Sequence, residues 1–172
     1  MNDTIAISSP AGHLIVRPER EDDEAFHFRL FSASRQAEFA RLLPPDTLET
    51  IMRQQFHAQT VSYRARFPRA RGDIIEIAGK PIGRIMVDRG EKVVHIVDQA
   101  IVPELRNRGI GTAVMRALME EARRTSRAVR LGVAAANDQA LRLYRRLGFA
   151  PIETKEHYLW LEWRDDATVS EC

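Results

Sequence analysis

The residues with the clearest chemistry form a glycine-rich segment between a strand-like run and a helix-like run, with the sequence Arg106-Asn107-Arg108-Gly109-Ile110-Gly111-Thr112. Glycine lets the backbone come close to a ligand because it has no Cβ. The first turn of the following helix presents unpaired N–H groups and the positive end of the helix dipole. The segment therefore predicts a binding site for a phosphorylated ligand.

Two common nucleotide-binding patterns do not fit this segment. A Walker A loop ends in Gly-Lys-Ser/Thr, and the chain has no such ending, which argues against ATP or GTP hydrolysis. The dinucleotide pattern requires a third glycine where this chain has Val114, and it requires a βαβ unit near the start of the domain. A redox enzyme that binds NAD(P) is therefore a distant alternative.

Composition predicts one globular domain over residues 1–172. The chain is 44% hydrophobic and 29% charged, and it has no apolar run near the ~20 residues that span a membrane. The N-terminus lacks the pattern of a signal peptide, and the only cysteine is Cys172, so that no intramolecular disulfide can form. These features favour a cytoplasmic protein with no membrane partner.

Charge and histidine patterns argue against two other kinds of site. The net charge is only +2, and the arginines are intermixed with Asp and Glu instead of forming a basic block, so we expect no nucleic-acid partner. The histidines at positions 13, 27, 57, 95 and 157 lack the spacing of metal ligands, so we expect no metal site.

The elements that must position the glycine-rich segment can be read from the hydrophobic pattern. Residues 13–16 predict a strand, and residues 21–42 a helix that Leu43-Pro44-Pro45-Asp46 interrupts. Thr47 is a candidate cap for a second helix that ends near residues 67–68. Residues 74–78, 82–88 and 93–102 predict an antiparallel meander.

The second half predicts two helices and three more strands. They are a helix at 110–125, a strand at 130–134, a helix that Asn137 caps and Gly148 ends, and a hairpin at 150–155 and 157–163. We expect a mixed α/β (α+β) fold, in which a mostly antiparallel sheet of six to seven strands carries about four helices on its two faces. Its core spans about residues 13–163, and residues 165–172 form a polar tail.

Two motifs carry a family resemblance. They are Arg106-x-x-Gly109-x-Gly111 and, downstream, Asn137-x-x-Ala140-x-x-Leu143-Tyr144-x-x-Leu147-Gly148-Phe149. The pair, together with the strand order, resembles the GNAT superfamily of N-acetyltransferases, which use acyl-coenzyme A. The resemblance implies transfer of an acetyl group from acetyl-CoA to a primary amine by direct attack, in a monomer or homodimer.

The resemblance leaves the acceptor open: a small amine, an antibiotic, an amino acid, or the N-terminus or lysine of a protein. It also implies the residues that bind the coenzyme. The amides of Asn107, Arg108, Gly109, Ile110, Gly111 and Thr112 would hold the pyrophosphate, with added charge from Arg106 and Arg108. Gln99 and Ile101 would bond the pantetheine arm, and Asn137 and Tyr144 would contact the coenzyme from the following helix.

Acetyl transfer to an amine needs a base and an acid. A free alkylamine has a pKa of about 10.4 and is mostly protonated at neutral pH, and the leaving thiolate must be protonated or stabilised. Tyr144 is the candidate acid, because a phenol has a pKa near 10. Gly132 stands where some relatives place a glutamate base, so the candidate bases are His95 and Asp98, both on the strand before the loop.

That missing glutamate also supports an alternative from another class. In this alternative, the chain is a non-catalytic module on the same fold that binds or senses acyl-CoA. Residues 21–67 and 152–160, which would determine the acceptor, contain no recognisable motif.

Overall fold

The computed structural model describes residues 4–39 and 44–165. Its helices are α1 (Glu24–Phe39), α2 (Pro45–Arg66), α3 (Ile110–Arg124) and α4 (Asp138–Arg146). Its strands are β1 (Ile5–Ser9), β2 (Gly12–Pro18), β3 (Arg71–Ile77), β4 (Lys80–Arg89), β5 (Val93–Ile101), β6 (Ala128–Ala134), β7 (Ala150–Lys155) and β8 (Tyr158–Trp163). The expected end of the first helix at residue 42, the break at Leu43, most of the polar tail and Cys172 lie outside the described residues.

All eight strands form one sheet in the order β1-β2-β3-β4-β5-β6-β8-β7. Each neighbouring pair is antiparallel except β5 and β6, which run parallel. The expected mixed, mostly antiparallel fold is confirmed, but the strand count of six to seven is wrong. The missed strand is β1, which pairs with β2 from Ile5 opposite Val16 to Ser9 opposite Gly12. This edge strand is mostly exposed and so lacks the alternation that identifies a half-buried strand.

The helices cover the two faces of the sheet, as expected. The buried side chains of α3 recur at helical spacing and pack against the sheet together with α4; they are Ile110, Val114, Met115, Leu118 and Ala122. On the opposite face, Phe26 and Leu30 of α1 pack on Ile74. Helix α2 covers α1 through Leu48 and Met52, which contact Phe31.

The predicted helix ends are confirmed for α4, whereas the predicted start of α2 is wrong. The Asn137 side chain accepts a hydrogen bond from the Ala140 amide at 3.1 Å, so the predicted cap is confirmed. Gly148 follows α4 with φ of 86°, as expected for a left-handed C-terminal residue. The expected cap at Thr47 is wrong, because α2 begins at Pro45, whose fixed φ suits the first helical position.

Among the described residues, no helix is long and apolar enough to cross a membrane. Within the same ranges, no group of three or more His, Cys, Asp or Glu side chains is placed to hold a metal ion.

Candidate active site

A split in the sheet defines the candidate site. Strands β5 and β6 pair only from Val93 opposite Ala128 to Ile96 opposite Leu131. On its other side, β5 pairs with β4 through a bulge: Val87 lies opposite Ile96, and Met86 lies opposite Asp98, so that Val97 is the extra residue. A bulge bends its strand and increases the local twist. Beyond it, β5 and β6 separate, and their facing edges are available to an extended ligand.

The glycine-rich segment lies at the open end of this split. Gly109 is the N-terminal cap of α3 with φ of 80°, a left-handed conformation that favours glycine. A Cβ at this position would lie 3.0 Å from Cγ of Pro10, in the turn between β1 and β2. Because Gly109 has no side chain to cap the helix, the amides of the first turn remain available as donors. The local geometry is that of an anion site.

Five of the predicted binding residues make contacts that shape this loop. Arg106 Nε donates to the Ile101 carbonyl at 3.0 Å, which ties the loop to the end of β5. The Gln99 side chain donates to the Gly111 carbonyl at 3.4 Å, in the first turn of α3. Asn107, with φ of 61°, accepts a side-chain hydrogen bond from Gln139 of α4. The loop is therefore held from both sides of the split, while Arg108 is exposed.

Asp98 lies near enough to Tyr144 for its charge to act on the phenol. Asp98 follows the bulge in β5, and Tyr144 lies on α4 with its ring 5.7 Å from that of Phe149. Burial and then the charge of Asp98 raise the pKa of Tyr144 to about 12. Tyr144 is therefore a protonated phenol at every pH at which the protein would work.

Asp98 is an unusual carboxylate because its pKa is raised even though three basic side chains act on it. Burial raises its pKa above the ordinary range, and Arg84, His27 and Arg35 only partly offset this. Its side chain keeps 30% of its exposure, so water and a ligand can reach it. A carboxylate with a raised pKa is better matched to proton transfer near neutral pH than an ordinary one.

Arg84 is the nearest of these cations. It lies on β4 with 6% exposure, and its Nη1 is 3.9 Å from Oδ2 of Asp98. Its Nε and Nη2 donate to the two carboxylate oxygens of Glu19 at 2.9 and 2.7 Å. His27 Nδ1 of α1 lies 3.3 Å from the same carboxylate. Burial opposes ionisation of Glu19, but the bonds from His27 and Arg84 outweigh it and lower the pKa of Glu19 to about 2.

A cleft on the α1–α2 face of the sheet leads to these charges. It has a volume of about 1730 Å³, and it is lined by α1, α2, β3, β4 and the segment after β2, including Glu19, His27, Tyr63 and Arg84. Burial, followed by the charge of Asp98, raises the pKa of Tyr63 to about 12. Tyr158, at the start of β8, is the next contributor to that shift, so α2 and the last hairpin approach each other here.

His95, the other candidate base, belongs to a different cluster. It lies where β5 and β6 are still paired, opposite Asp88 and Arg130, and its ring is 5.6 Å from that of Phe67. Burial and then the charge of Arg130 lower its pKa, so it is neutral at neutral pH. Asp98 and Tyr144 are not among the charges that shift it.

The glutamate position that Gly132 leaves vacant is covered by an aromatic ring. A Cβ on Gly132 would lie 3.3 Å from the Trp160 ring of β8. The Trp160 ring also contacts Arg66, at the end of α2, whose guanidinium carbon lies 4.8 Å from the ring centroid. A side chain at position 132 would therefore require the Trp160 ring to shift by a few tenths of an ångström.

Sequence reasoning missed the bulge at Val97, the Glu19–Arg84 pair and Tyr63. The pair joins residues 65 positions apart, and a distant ion pair leaves no periodic signal in a single sequence. One available signal was Arg84 itself, a charged residue within the apolar middle of β4, since a buried charge needs a partner.

The residues that are present fit a phosphorylated cofactor with an extended arm. An uncapped helix start suits a pyrophosphate, the open strand edge suits an amide-containing arm, and Asp98 and Tyr144 lie farther along the same split.

Comparisons with known proteins agree with this geometry. The sequence profile of the acetyltransferase (GNAT) family matches residues 30–149. An uncharacterised N-acetyltransferase of Methanocaldococcus jannaschii is 34% identical over 94 residues, which cover 50% of this chain and 42% of that protein. An N-alpha-acetyltransferase of Sulfurisphaera tokodaii is 36% identical over 66 residues, which cover 37% of this chain and 40% of that protein.

Among solved structures, the PaiA N-acetyltransferase of Thermoplasma acidophilum in complex with coenzyme A has the same fold. Its TM-score is 0.66 at 16% identity, over 88% of this chain and 99% of that one. The matched segments span about two fifths of the length of the two curated relatives. The chain belongs to the GNAT family of acetyltransferases, whose cofactor is acetyl-CoA. The family resemblance in the two sequence motifs is thereby confirmed.

Proposed function

We propose that this chain transfers an acetyl group from acetyl-CoA to a primary amine by direct attack in the split between β5 and β6. The observation that carries the proposal is the end of β5–β6 pairing after Ile96 together with the uncapped start of α3, with Asp98 on the opened part of β5 and its charge acting on Tyr144 of α4. Acetyl-CoA bound there would supply a thioester whose carbonyl carbon accepts the amine.

The coenzyme-binding roles follow the layout of the loop and the open strand edge. Amides of residues 107–112 hold the pyrophosphate, with Arg106 and Arg108 adding positive charge beside it. Gln99 and Ile101 present backbone groups to the pantetheine arm, and Asn137 borders it at the start of α4. These assignments are supported by the left-handed Gly109 and by the loss of β5–β6 pairing after Ile96.

Asp98 is the general base in this proposal. The incoming amine is mostly an ammonium ion at neutral pH, because its pKa is about 10.4. The Asp98 carboxylate accepts a proton from it, directly or through one water. Its partial exposure and its raised pKa support this role.

Tyr144 is the general acid. Its Oη holds a proton because burial and Asp98 keep its pKa at about 12. It would give that proton to the thiolate that leaves as the thioester C–S bond breaks, and regain one, through water, from the nitrogen that loses its second proton as the amide forms. The base and the acid thus lie on β5 and α4, and burial raises the pKa of both groups.

The acceptor amine enters through the α1–α2 cleft. That cleft is larger than the 300–1,000 Å³ typical of small-molecule sites. One relative is named an N-alpha-acetyltransferase, so peptides with free N-termini are the first acceptors to assay. Simple alkylamines, polyamines and single amino acids complete the panel.

The first experiment separates this proposal from its alternatives. Thermal unfolding is measured with acetyl-CoA, CoA, NAD and ATP in turn; a ligand at ~100 times its Kd stabilises the fold by about 2.7 kcal/mol. We expect shifts with acetyl-CoA and CoA only, and acceptor-dependent thiol release. A shift with NAD instead would favour the redox alternative, and binding without thiol release from any acceptor would favour the non-catalytic module.

The base assignment has its own test. Asp98→Asn is expected to lower kcat/KM by about 100-fold or more, to remove the rise of kcat/KM with pH on the acid side, and to leave the CoA-induced thermal shift in place. His95→Gln is measured in parallel. If the acid limb vanishes in His95→Gln and persists in Asp98→Asn, His95 is the base.

A further inference from the structure

Arg84 is a buried cation shared unequally between two carboxylates. Glu19 takes two of its donors at 2.9 and 2.7 Å, whereas Asp98 lies 3.9 Å from the third nitrogen. With 7% exposure, the Arg84 side chain has little room to change this arrangement. Glu19 itself follows β2, and its amide donates to the Gly72 carbonyl of β3 at 3.0 Å.

The pair is also attached to the helices that border the acceptor cleft. His27 of α1 lies 3.3 Å from the Glu19 carboxylate. The His27 ring meets Phe56 of α2 edge-on, with centroids 4.7 Å apart. A buried ion pair is weak support for stability, since desolvation cancels much of the attraction. The Arg84–Glu19 pair lies between the cleft and Asp98, so it can affect the position and the charge of Asp98.

We propose that Arg84, held by Glu19, is a positioning residue for Asp98, and that the two together set how firmly this carboxylate holds its proton. The inference rests on the proposed function, in which Asp98 is the base. Arg84 alone would form a full ion pair with Asp98 and make it a poor proton acceptor. Glu19 neutralises most of that charge, so that Asp98 keeps a fixed position and a usable basicity.

The charged and titratable side chains that interact electrostatically with Asp98 lie on four elements. They are Arg84 of β4, His27 and Arg35 of α1, and the phenols of Tyr63 on α2 and Tyr144 on α4. Burial raises the pKa of Asp98, and Arg84 is the strongest opposing group. Removing the positive charge of Arg84 should therefore raise the pKa of Asp98, and removing the negative charge of Glu19 should lower it.

The test is a pair of variants with opposite predicted shifts. Arg84→Met removes the opposing cation, so the acid limb of kcat/KM should move up by about one pH unit. Glu19→Gln leaves Arg84 without its counter-charge, so the limb should move to lower pH. Arg17→Met is the matched control, because Arg17 is an arginine with only 13% side-chain exposure that pairs with the carboxylates of Asp23 and Glu76, but it is not among the groups that shift Asp98.

A direct titration separates this inference from the proposed function. The 13C carboxyl resonance of Asp98, assigned by its absence in Asp98→Asn, is followed against pH in each variant. Opposite shifts in Arg84→Met and Glu19→Gln, with none in Arg17→Met, support the inference whether or not Asp98 is the base. Unchanged or parallel shifts overturn it.

A folding defect does not block the test. If Arg84→Met leaves Glu19 unpaired and fails to fold, the double variant Glu19→Gln/Arg84→Met removes both charges. It should still show a raised Asp98 titration, because the opposing cation is gone. An acid limb that persists in Asp98→Asn, with the carboxyl shifts as expected, would overturn the catalytic role of Asp98 and leave the positioning role standing.

Discussion

Asp98 and Tyr144 illustrate how residue-level chemistry depends on surroundings that the sequence does not display. Each has a raised pKa, mainly because of burial. For the carboxylic acid, this brings proton exchange closer to neutral pH; for the phenol, it guarantees that the proton is present. The same physical cause therefore favours a base at one residue and an acid at the other.

Tyr144→Phe tests the acid at this scale. A general acid contributes about 100-fold or more, so kcat should fall by about that factor while the CoA-induced thermal shift is retained. Because the pKa of Tyr144 is about 12, the wild-type rate should show no alkaline decline from this group below about pH 11.

Tyr63→Phe is the comparison for this experiment. It removes another buried hydroxyl that faces Asp98, but one that lines the acceptor cleft. Its effect should fall mainly on the KM of the acceptor. Equal losses of kcat in both variants would argue against a special role for the Tyr144 proton.

At the scale of elements, two backbone irregularities make the site. The bulge at Val97 ends the pairing of β5 with β6, and the left-handed Gly109 turns the chain into α3. The first opens a strand edge, and the second presents uncapped amides at its end. Neither feature adds a reactive side chain, but both place backbone donors where an anionic, amide-containing ligand can use them.

Gly109→Ala tests the loop. It combines a strained φ of 80° with a Cβ 3.0 Å from Pro10, whereas Gly79→Ala places a Cβ in open space at a φ of 74°. Both should lose about 1–2 kcal/mol of stability to backbone strain. Only Gly109→Ala should also weaken CoA binding, measured by isothermal titration calorimetry. Equal CoA affinities in the two variants would mean that the Gly109 conformation is structural only.

For the whole molecule, the sheet separates two tasks. Helices α3 and α4 pack on one face and form the loop side of the site, whereas α1 and α2 border the cleft on the other face. The split between β5 and β6 lies where the loop side of the site and the acceptor cleft meet. Buried ion pairs, including Arg84 with Glu19 and Arg17 with Asp23, connect the first strands to the rest of the sheet.

The fold should lose stability in acid because the carboxylate of Glu19 is paired with Arg84. Its folded-state pKa of about 2 lies below the ordinary 4.5, so its ionisation stabilises the fold above about pH 4.5. This contribution, up to about 3 kcal/mol, should be lost as the pH falls toward 2. Asp73 and Asp98, whose pKa values are raised by burial, act in the opposite direction.

Urea unfolding between pH 7 and pH 3 measures this effect. The stability of the wild type should fall more steeply with acid than that of Glu19→Gln, which has no carboxylate to protonate at this position. Parallel curves would contradict a lowered pKa at Glu19.

The sequence by itself determined the order of the elements from β2 to β8, the glycine loop, the Asn137 cap and the family. These features rest on local periodicity, turn chemistry and short motifs, which a single chain displays. It also selected Asp98, His95 and Tyr144 as candidates, but it had no means to rank the two bases.

Tertiary structure decided what those residues face. Asp98 lies 3.9 Å from Arg84 and its charge acts on Tyr144, while His95 lies beside Arg130 and Phe67. Pairing across the sheet joins Glu19 to Arg84, and the Trp160 ring fills the space over Gly132. Burial and neighbouring charge are properties of the assembled sheet, and they set the proton affinity that distinguishes a catalytic carboxylate from a structural one.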